Sequence, residues 1–326
     1  MNKRRFLTTL AALAATASPL LAGAADNYPA GPVRWVVPYA AGGGTDVIAR
    51  TLAAPVALAL GQTIVVDNKP GANTMLGAQE VSRAKPDGLT VGSADNATLA
   101  LNQHLYAKLP YNPERDFEFV GGFARFPYAL LVHPDVPART LKELLELARK
   151  EPGKLSYGTP GTGGPNHVAM ELLQQRTGTR FTHVPYRGAA PGLQDLMGGQ
   201  IQFMLVDTAS SQAYVKAGKL RALAVSYPKR LAAFPDVPTF AEAGVADFSA
   251  FSWQGLIAPA GTPKPLITRL NKELVQALST EAVQRKLADL GVEPAPSSPE
   301  EFAALVREQA GLWGKVIRDA QIRLEP

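Results

Sequence analysis

The sequence predicts a mixed α/β protein with two lobes and a ligand cleft between them. Three observations lead to this prediction. Short apolar runs alternate with helical patterns in two successive sets. Each set contains a glycine-rich turn between a strand and a helix, and three closing helices need a sheet to cover. The 326 residues are enough for two lobes.

The first set predicts a parallel sheet with helices on both faces. Its expected elements are strands at 33–38, 63–68 and 89–94, separated by helices at 45–60 and 74–84. Strands joined by helices pair in parallel, and the right-handed crossover places every strand-to-helix loop at the same edge of the sheet.

A second α/β set of similar size begins after Pro127. Its apolar runs and amphipathic patterns alternate as in the first set. The expected strands are 128–134, 154–160, 180–186, 201–207 and 220–226, and the expected helices are 140–150, 166–178, 188–199 and 210–218.

The carboxyl-terminal segment predicts a return to the first lobe. A strand at 251–259 precedes helices at 263–279, 281–291 and 299–320, the last two following the possible N-cap residues Thr280 and Ser298. We expect the chain to cross between lobes near 125–126 and again near 252–253. The predicted division is a signal peptide at 1–24, lobe I at 25–125 plus 253–326, and lobe II at 126–252. Two independent domains in series would leave the last helices without a sheet.

The amino terminus predicts export. The basic stretch MNKRRF precedes a short apolar run, and small residues precede a cleavage position near Ala24 and Ala25. We therefore expect a periplasmic protein. Cleavage would remove three of the 33 basic residues and none of the 28 acidic ones, so the net charge falls from +5 to +2. No basic block remains to indicate nucleic-acid binding.

Glycine-rich turns are the strongest functional signals. YAAGGGTD at 39–46 and YGTPGTGGPNH at 157–167 each stand between a strand and a helix. Bare backbone and a helix amino terminus together favour anion binding. One such turn in each predicted lobe indicates a cleft that closes on an anion. Asp46 could contact the ligand or serve as an ordinary acid at the start of a helix.

Nucleotide and enzyme sites fit poorly. After Gly158 and Gly163, a phosphate-binding loop would need Lys and Ser/Thr, but Gly164 and Pro165 follow. In a dinucleotide fingerprint, Val47 stands where the third glycine is required. The chain has no G-x-S-x-G elbow, no cysteine, and four scattered histidines without metal-ligand spacing. We expect no enzyme, no metal and no cofactor.

Several segments are similar in order and spacing to one known family. They include VVPYAAGGGTDVIAR, VVDNKPGANTMLGAQEVSRAKPDG, YGTPGTGGPNHVAMELL, HVPYRGAAPGLQDLMGGQIQFML and WQGLIAPAGTP. Through them the mature chain resembles the tripartite tricarboxylate transporter receptors, the Bug-type periplasmic solute-binding proteins. The resemblance implies a type II periplasmic binding fold that holds a small organic carboxylate between its lobes. It also implies integral-membrane transporter subunits, or a sensor kinase, as partners of a monomer.

The resemblance also implies the residues that contact the ligand. They are Tyr39, Ala41, Gly42, Gly43, Thr45 and Asp46 in the first turn, Asn96 and Thr98 after the third strand, and Gly158, Thr159, Gly161, Thr162, Gly163 and His167 in the second turn. Asp207 could meet a ligand amine or hydroxyl, or cap the next helix. Phe126, Tyr128 and Trp253 stand at the expected crossings, where they could wall the pocket or pack as ordinary hinge residues. A secreted enzyme using the same cleft would need a catalytic constellation that the sequence does not show.

Overall fold

The computed structural model describes residues 28–246 and 248–325, so the predicted signal peptide lies outside the described residues. The amino-terminal part is a parallel unit, in which β1 lies between β2 and β3. This arrangement confirms the predicted βαβαβ unit. Its elements are β1 (Val33–Val37), α1 (Gly44–Leu60), β2 (Ile64–Asn68), α2 (Met75–Ser82) and β3 (Thr90–Asp95).

The middle of the chain forms the second set of elements. A π-helical turn at Ala97–Leu101 and the short helix α3 (Asn102–Leu105), neither of them predicted, precede this set. Its members are β4 (Phe117–Val132), α4 (Leu141–Lys150), β5 (Ser156–Thr159), α5 (Pro165–Thr177), β6 (Thr182–Pro185), α6 (Ala189–Met197), β7 (Phe203–Asp207), α7 (Thr208–Lys216) and β8 (Arg221–Val225).

The chain closes with β9 (Phe251–Pro259), α8 (Lys264–Ser279), α9 (Glu281–Asp289), β10 (Glu293–Pro294) and α10 (Pro299–Asp319). Ser298 caps α10 in a capping box with Glu301, as its position predicted. Thr280 precedes α9, but its hydroxyl donates to the Ala277 carbonyl and caps nothing. No helix within the described residues is long and apolar enough to cross a bilayer.

Strand β4 joins the two parallel units. The strand order is β2-β1-β3-β9-β4-β7-β5-β6, and β8 and β10 also pair with β4. From Phe117 to Pro127, β4 runs antiparallel to β9, and from Tyr128 it runs antiparallel to β7 and β8. The prediction of a strand that starts at residue 128 was wrong, because Gly121, Gly122 and Pro127 obscure the first half of β4. Proline lacks an N–H donor, and here it stands where the strand changes partners.

Helix α10 packs against both units. Its first half places Phe302 and Val306 in a core cluster with Trp253. Its second half places Trp313 and Ile317 in another cluster, which contains residues of α5, β5 and β7. The helix therefore spans the two predicted lobes, and the domain limits at 125–126 and 252–253 stay a prediction.

Candidate functional site

A cavity of about 540 Å³ lies beside the point where β4 and β9 pass from one unit to the other. The carboxyl ends of β3 and β7 reach it, which is where open α/β sheets bind ligands. Its lining consists of Tyr39, Gly44, Thr45, Ile48, Asp95, Phe126, Tyr128, Pro160, Pro165, Asn166, Ala189, Asp207, Ala209, Ser210, Ser252, Trp253, Gln254, Asp289, Leu290 and Val292.

A wider surface groove of about 660 Å³ runs along the carboxyl-terminal half of α1 and the edge strand β2. It is lined largely by small and aliphatic side chains, including the exposed Leu58. No helix begins there. We therefore place the candidate site in the 540 Å³ cavity.

Three helices begin at this cavity without a side-chain cap. Their N-cap residues are Gly43 for α1, Gly164 for α5 and Gly188 for α6, and none of the three has a side chain that could satisfy the first backbone N–H groups. The first residues of all three helices line the cavity. Uncapped N–H groups and the positive ends of helix dipoles together form an anion-binding site.

The first glycine turn reaches the cavity through Tyr39, Gly44 and Thr45. Ala41, Gly42 and Gly43 are outside the lining. Gly42 has a φ of +82°, a left-handed conformation that glycine adopts without strain. This conformation lets the Gly42 N–H donate back to the helix at 2.9 Å. These three residues therefore shape the turn.

Asp46 is buried away from the cavity and fully engaged with protein groups. Its carboxylate accepts bonds from the Gly42 N–H, from Arg50 at 3.0 Å and from Asn68 at 2.9 Å. Burial alone would raise the pKa of this carboxyl, but the hydrogen bonds from Arg50, Gly42 and Asn68 hold it below its ordinary value. Of the two alternatives left open for Asp46, this geometry matches a structural acid at the start of α1.

Tyr39 and Asp95 form a polar wall of the cavity. The Tyr39 hydroxyl donates to one Asp95 oxygen, and the other oxygen accepts from the Thr98 N–H at 3.0 Å and the Thr98 hydroxyl at 2.9 Å. Burial, followed by the Asp95 carboxylate, raises the pKa of Tyr39 well above its ordinary value. The phenol thus keeps its proton and directs it to Asp95.

Asn96 and Thr98 support this wall from outside the lining. The Asn96 side-chain oxygen accepts a hydrogen bond from the backbone N–H of Trp253 at 2.8 Å, which connects β9 to the end of β3. Thr98 holds Asp95 and also bonds Thr74. Both residues were expected to contact the ligand; both lie outside the cavity lining, where Thr98 bonds Asp95 and Asn96 bonds β9.

Tyr128 and Asp207 face each other across the β4–β7 ladder and both line the cavity. The Tyr128 hydroxyl is hydrogen-bonded to Ser252. Asp207 caps α7 through the Ser210 N–H at 2.8 Å. The two alternatives given for Asp207 are therefore compatible, because the same carboxylate caps a helix and borders the cavity. Phe126 and Trp253 border it as well.

The second glycine turn contributes Pro160, Pro165 and Asn166 to the lining. Its predicted contact residues, Gly158, Thr159, Gly161, Thr162, Gly163 and His167, lie outside it. Thr159 is buried and donates to the Gly161 carbonyl at 3.1 Å. The structure therefore brings both turns to one cavity, although the second turn does so through the neighbours of its glycines.

A histidine pair lies beneath the second turn. The rings of His167 and His183 are stacked with centroids 3.9 Å apart. His167 accepts from the Gly163 N–H at 3.0 Å, and His183 is 2.6 Å from the Thr159 hydroxyl. Burial, together with the neighbouring His183, lowers the pKa of His167 to about 4, and burial lowers that of His183. Protonation would remove the lone pair that holds Gly163.

This pair predicts a pH dependence of stability. Histidines with lowered pKa values stabilise the fold fully above their unfolded pKa of about 6.5, and this contribution is lost as the pH falls towards about 4. Between pH 7.5 and 4.5 we expect the wild type to lose about 2 kcal/mol more unfolding free energy than a His167→Gln/His183→Gln variant. Urea unfolding measures this difference.

The neighbouring Glu171 carboxyl titrates in the opposite sense, because burial raises its pKa. Its protonation favours the fold as the pH falls. Both proteins in this comparison retain Glu171, so their difference isolates the two histidines. Parallel pH profiles for the two proteins would contradict the prediction.

Several lining residues were not among the ligand contacts expected from the sequence. The polar ones that matter most here are Ser252, Gln254 and Asp95, of which Asp95 lies in the segment 94–98 that was expected to face the cleft. Ser252 and Gln254 alternate with apolar residues in the otherwise buried β9. A polar side chain at alternating positions of a buried strand was the available signal. No such signal marked Leu290 and Val292, which follow α9 and reach the cavity only through tertiary packing.

No group of three or more His, Cys, Asp or Glu side chains within the described residues could hold a metal ion. The lining contains three aspartates and, in the described part of the chain, no Lys, Arg or His. The arrangement can therefore bind an anion through backbone N–H groups and place hydrogen-bond acceptors around the rest of the ligand.

Comparison with known proteins gives a consistent picture. The family model described as a tripartite tricarboxylate transporter family receptor matches residues 48–322. BugT of Bordetella pertussis is 32% identical over 326 residues, with 100% of each chain covered.

Solved structures share the fold. Rpa4515 of R. palustris, solved with adipate, is 34% identical with a TM-score of 0.80, and the match covers 91% of this chain and 100% of that one. MatC of Rhodopseudomonas palustris, with bound malate, is 34% identical with a TM-score of 0.75 and coverage of 89% and 100%. The periplasmic binding protein BugD is 35% identical with a TM-score of 0.76 and coverage of 91% and 100%.

Proposed function

Because this chain belongs to the tripartite tricarboxylate transporter receptor family, we propose that it is a non-catalytic periplasmic receptor for a small organic carboxylate. The receptor captures its ligand in the 540 Å³ cavity and delivers it to integral-membrane transporter subunits. The similar proteins solved with adipate and with malate support a carboxylate. The predicted signal peptide supports export.

The observation that carries the proposal is the convergence of three uncapped helix amino termini on one cavity. Each terminus attracts an anion by about 0.3–1 kcal/mol, and by up to about 2 kcal/mol where partly buried. Each charge-assisted hydrogen bond contributes about 1.5–3 kcal/mol. Several such bonds reach the roughly −8 kcal/mol of a micromolar complex after association costs. A carboxylate can thus be held without an arginine.

Ligand capture involves closure of the two predicted lobes around the cavity. The proposed division between the lobes lies at the two predicted crossings, near 125–126 on β4 and near 252–253 on β9. The connecting segments of β4 and β9 carry lining residues from both crossings, Phe126 and Tyr128 on one strand and Ser252 on the other. A change of angle between the lobes would therefore open or close the cavity directly.

A thermal-shift screen of the mature protein tests this function. The panel contains dicarboxylates, tricarboxylates, aromatic acids and amino acids, with neutral sugars and polyamines as controls. A ligand at about 100 times its Kd adds about 2.7 kcal/mol of stability, which raises the Tm by several degrees. We expect one or more acids to do so. A Tm that responds only to sugars or polyamines would contradict a carboxylate receptor.

A further inference from the structure

The wall of the cavity formed by Tyr39, Asp95 and Gln254, here called the acceptor patch, offers hydrogen-bond acceptors to the ligand. Asp95 and Gln254 are direct partners on the antiparallel β3–β9 ladder. Directly opposed residues of a ladder project from the same face of the sheet. The Asp95 carboxylate and the Gln254 amide therefore lie side by side at the cavity.

Gln254 supplies an acceptor that no protein group uses. Its side chain is buried, with 6% exposed. Its Nε2 donates to the Thr45 hydroxyl at 2.6 Å, while its Oε1 is buried without a partner. An unpaired buried carbonyl oxygen is unfavourable unless a ligand or water donates to it. A ligand N–H that reached Gln254 Oε1 would therefore satisfy a buried polar atom.

Tyr39 and Asp95 also present acceptors, although both already have hydrogen-bond partners. The Tyr39 proton is committed to Asp95, so the lone pairs of its oxygen are what remain for a ligand. The Asp95 side chain accepts three hydrogen bonds, one from Tyr39 and two from Thr98, and a carboxylate offers only acceptors. All three members of the acceptor patch can therefore accept a hydrogen bond from a donor opposite them, and Gln254 Oε1 is the member that has no protein donor.

The charged side chains that line the cavity also favour a ligand that carries hydrogen-bond donors. Asp95, Asp207 and Asp289 line it, and no basic side chain does so among the described residues. Each helix terminus supplies roughly half a positive charge, so three termini offset one ligand carboxylate but not two. The three aspartates disfavour a second carboxylate further. A ligand with only carboxylates would place its other end among acceptors and like charges.

From this geometry we propose, building on the proposed function, that the ligand carries an ammonium group besides its carboxylate, and that the acceptor patch binds it. The ligand class is then amino acids or similar zwitterions. The carboxylate lies at the uncapped helix termini, and the ammonium donates to Gln254 Oε1 and to the Asp95 and Tyr39 oxygens. An ammonium has three donors, which matches the three acceptors of the patch.

Isothermal titration of the mature protein with matched ligand pairs tests the proposal. The pairs are succinate and aspartate, glutarate and glutamate, 4-methylpentanoate and leucine, and 3-phenylpropanoate and phenylalanine. The members of each pair differ only by the amino group. In the pair that fits the cavity, we expect the amino acid to bind at least about tenfold more tightly.

Two variants locate the ammonium. Asp95→Asn should weaken the amino acid at least about tenfold and leave the deaminated acid unchanged or tighter. Gln254→Glu keeps an acceptor and adds a negative charge, so it should retain the amino acid and weaken the deaminated acid. As a control, Asp135→Asn removes the same charge from a side chain that is 92% exposed and outside the cavity. It should change neither the affinity for the amino acid nor that for the deaminated acid.

The outcomes separate the two proposals. Deaminated acids that bind as tightly as their amino partners would overturn the ammonium and leave the carboxylate receptor standing. Equal weakening of both members of a pair by Asp95→Asn, with no change of preference in Gln254→Glu, would show that the acceptor patch has only a structural role. Failure of every acid to bind would overturn both proposals.

Discussion

Replacing Gly44 by leucine is expected to weaken ligand binding at least about a hundredfold while the protein stays folded. Gly44 is the first residue of α1 and lines the cavity. A Cβ built there meets no atom within 4 Å, so the side chain has room and fills the approach to the uncapped N–H groups. Loss of two charge-assisted bonds costs about 3 kcal/mol or more, which corresponds to this factor.

A matched control is Gly311→Leu. Gly311 lies in α10, is exposed, and also has nothing within 4 Å of a built Cβ. This control adds the same side chain outside the cavity and should raise stability by about 0.5–1 kcal/mol, because leucine favours a helix over glycine. Its affinity should equal that of the wild type in titration calorimetry. Wild-type affinity in Gly44→Leu would remove the α1 terminus from the site.

Replacing Gly255 by alanine is expected to destabilise the fold by about 3 kcal/mol or more, because the core there is already full. Gly255 pairs with Gly122 on β4, and the two glycines make a flat surface beneath Phe302. A Cβ at residue 255 would lie 2.1 Å from the Phe302 ring. The Phe302 ring has little room to move, because Phe119 and Trp253 pack edge-on against it. The distances from its ring centroid to theirs are 5.7 Å and 5.5 Å.

A double-mutant cycle with Phe302→Leu checks the cause. Each single change should destabilise in urea unfolding, one by overpacking and the other by leaving a cavity. Together they should destabilise less than their sum by at least about 1 kcal/mol, since the smaller leucine accommodates the new methyl group. Strictly additive losses would show that Gly255 is required for another reason.

The glycine turns show how much of the candidate site can be predicted from the sequence. Glycine at a strand-to-helix turn is a local property, and it indicated two of the three helix amino termini at the cavity, those of α1 and α5. The third, at Gly188, was not indicated. The hydrogen bonding of Asp46, in contrast, also depends on a residue distant in the chain. Its partner Asn68 lies on β2, and only the pairing of β2 beside β1 brings that amide to the start of α1.

The acceptor patch marks the limit of sequence reasoning. Asp95 and Gln254 belong to the ends of strands far apart in the chain, and the sequence contains nothing that pairs them. Gln254 reaches Thr45 across 209 residues. Asp95 and Gln254 meet because β9 inserts between β3 and β4, with Trp253 of β9 packed against Phe302 of α10.

By itself, the sequence determined the alternation of strands and helices, the return of the chain to the first unit and the two turns that leave helix termini bare. These follow from hydrophobic periodicity and from the lack of a side chain on glycine, both of which act within a few residues. Only the tertiary structure decided that β4 is one strand shared by both units, and which polar side chains face the cavity. Those outcomes depend on strand register and on core packing, where contacts between distant residues select one arrangement.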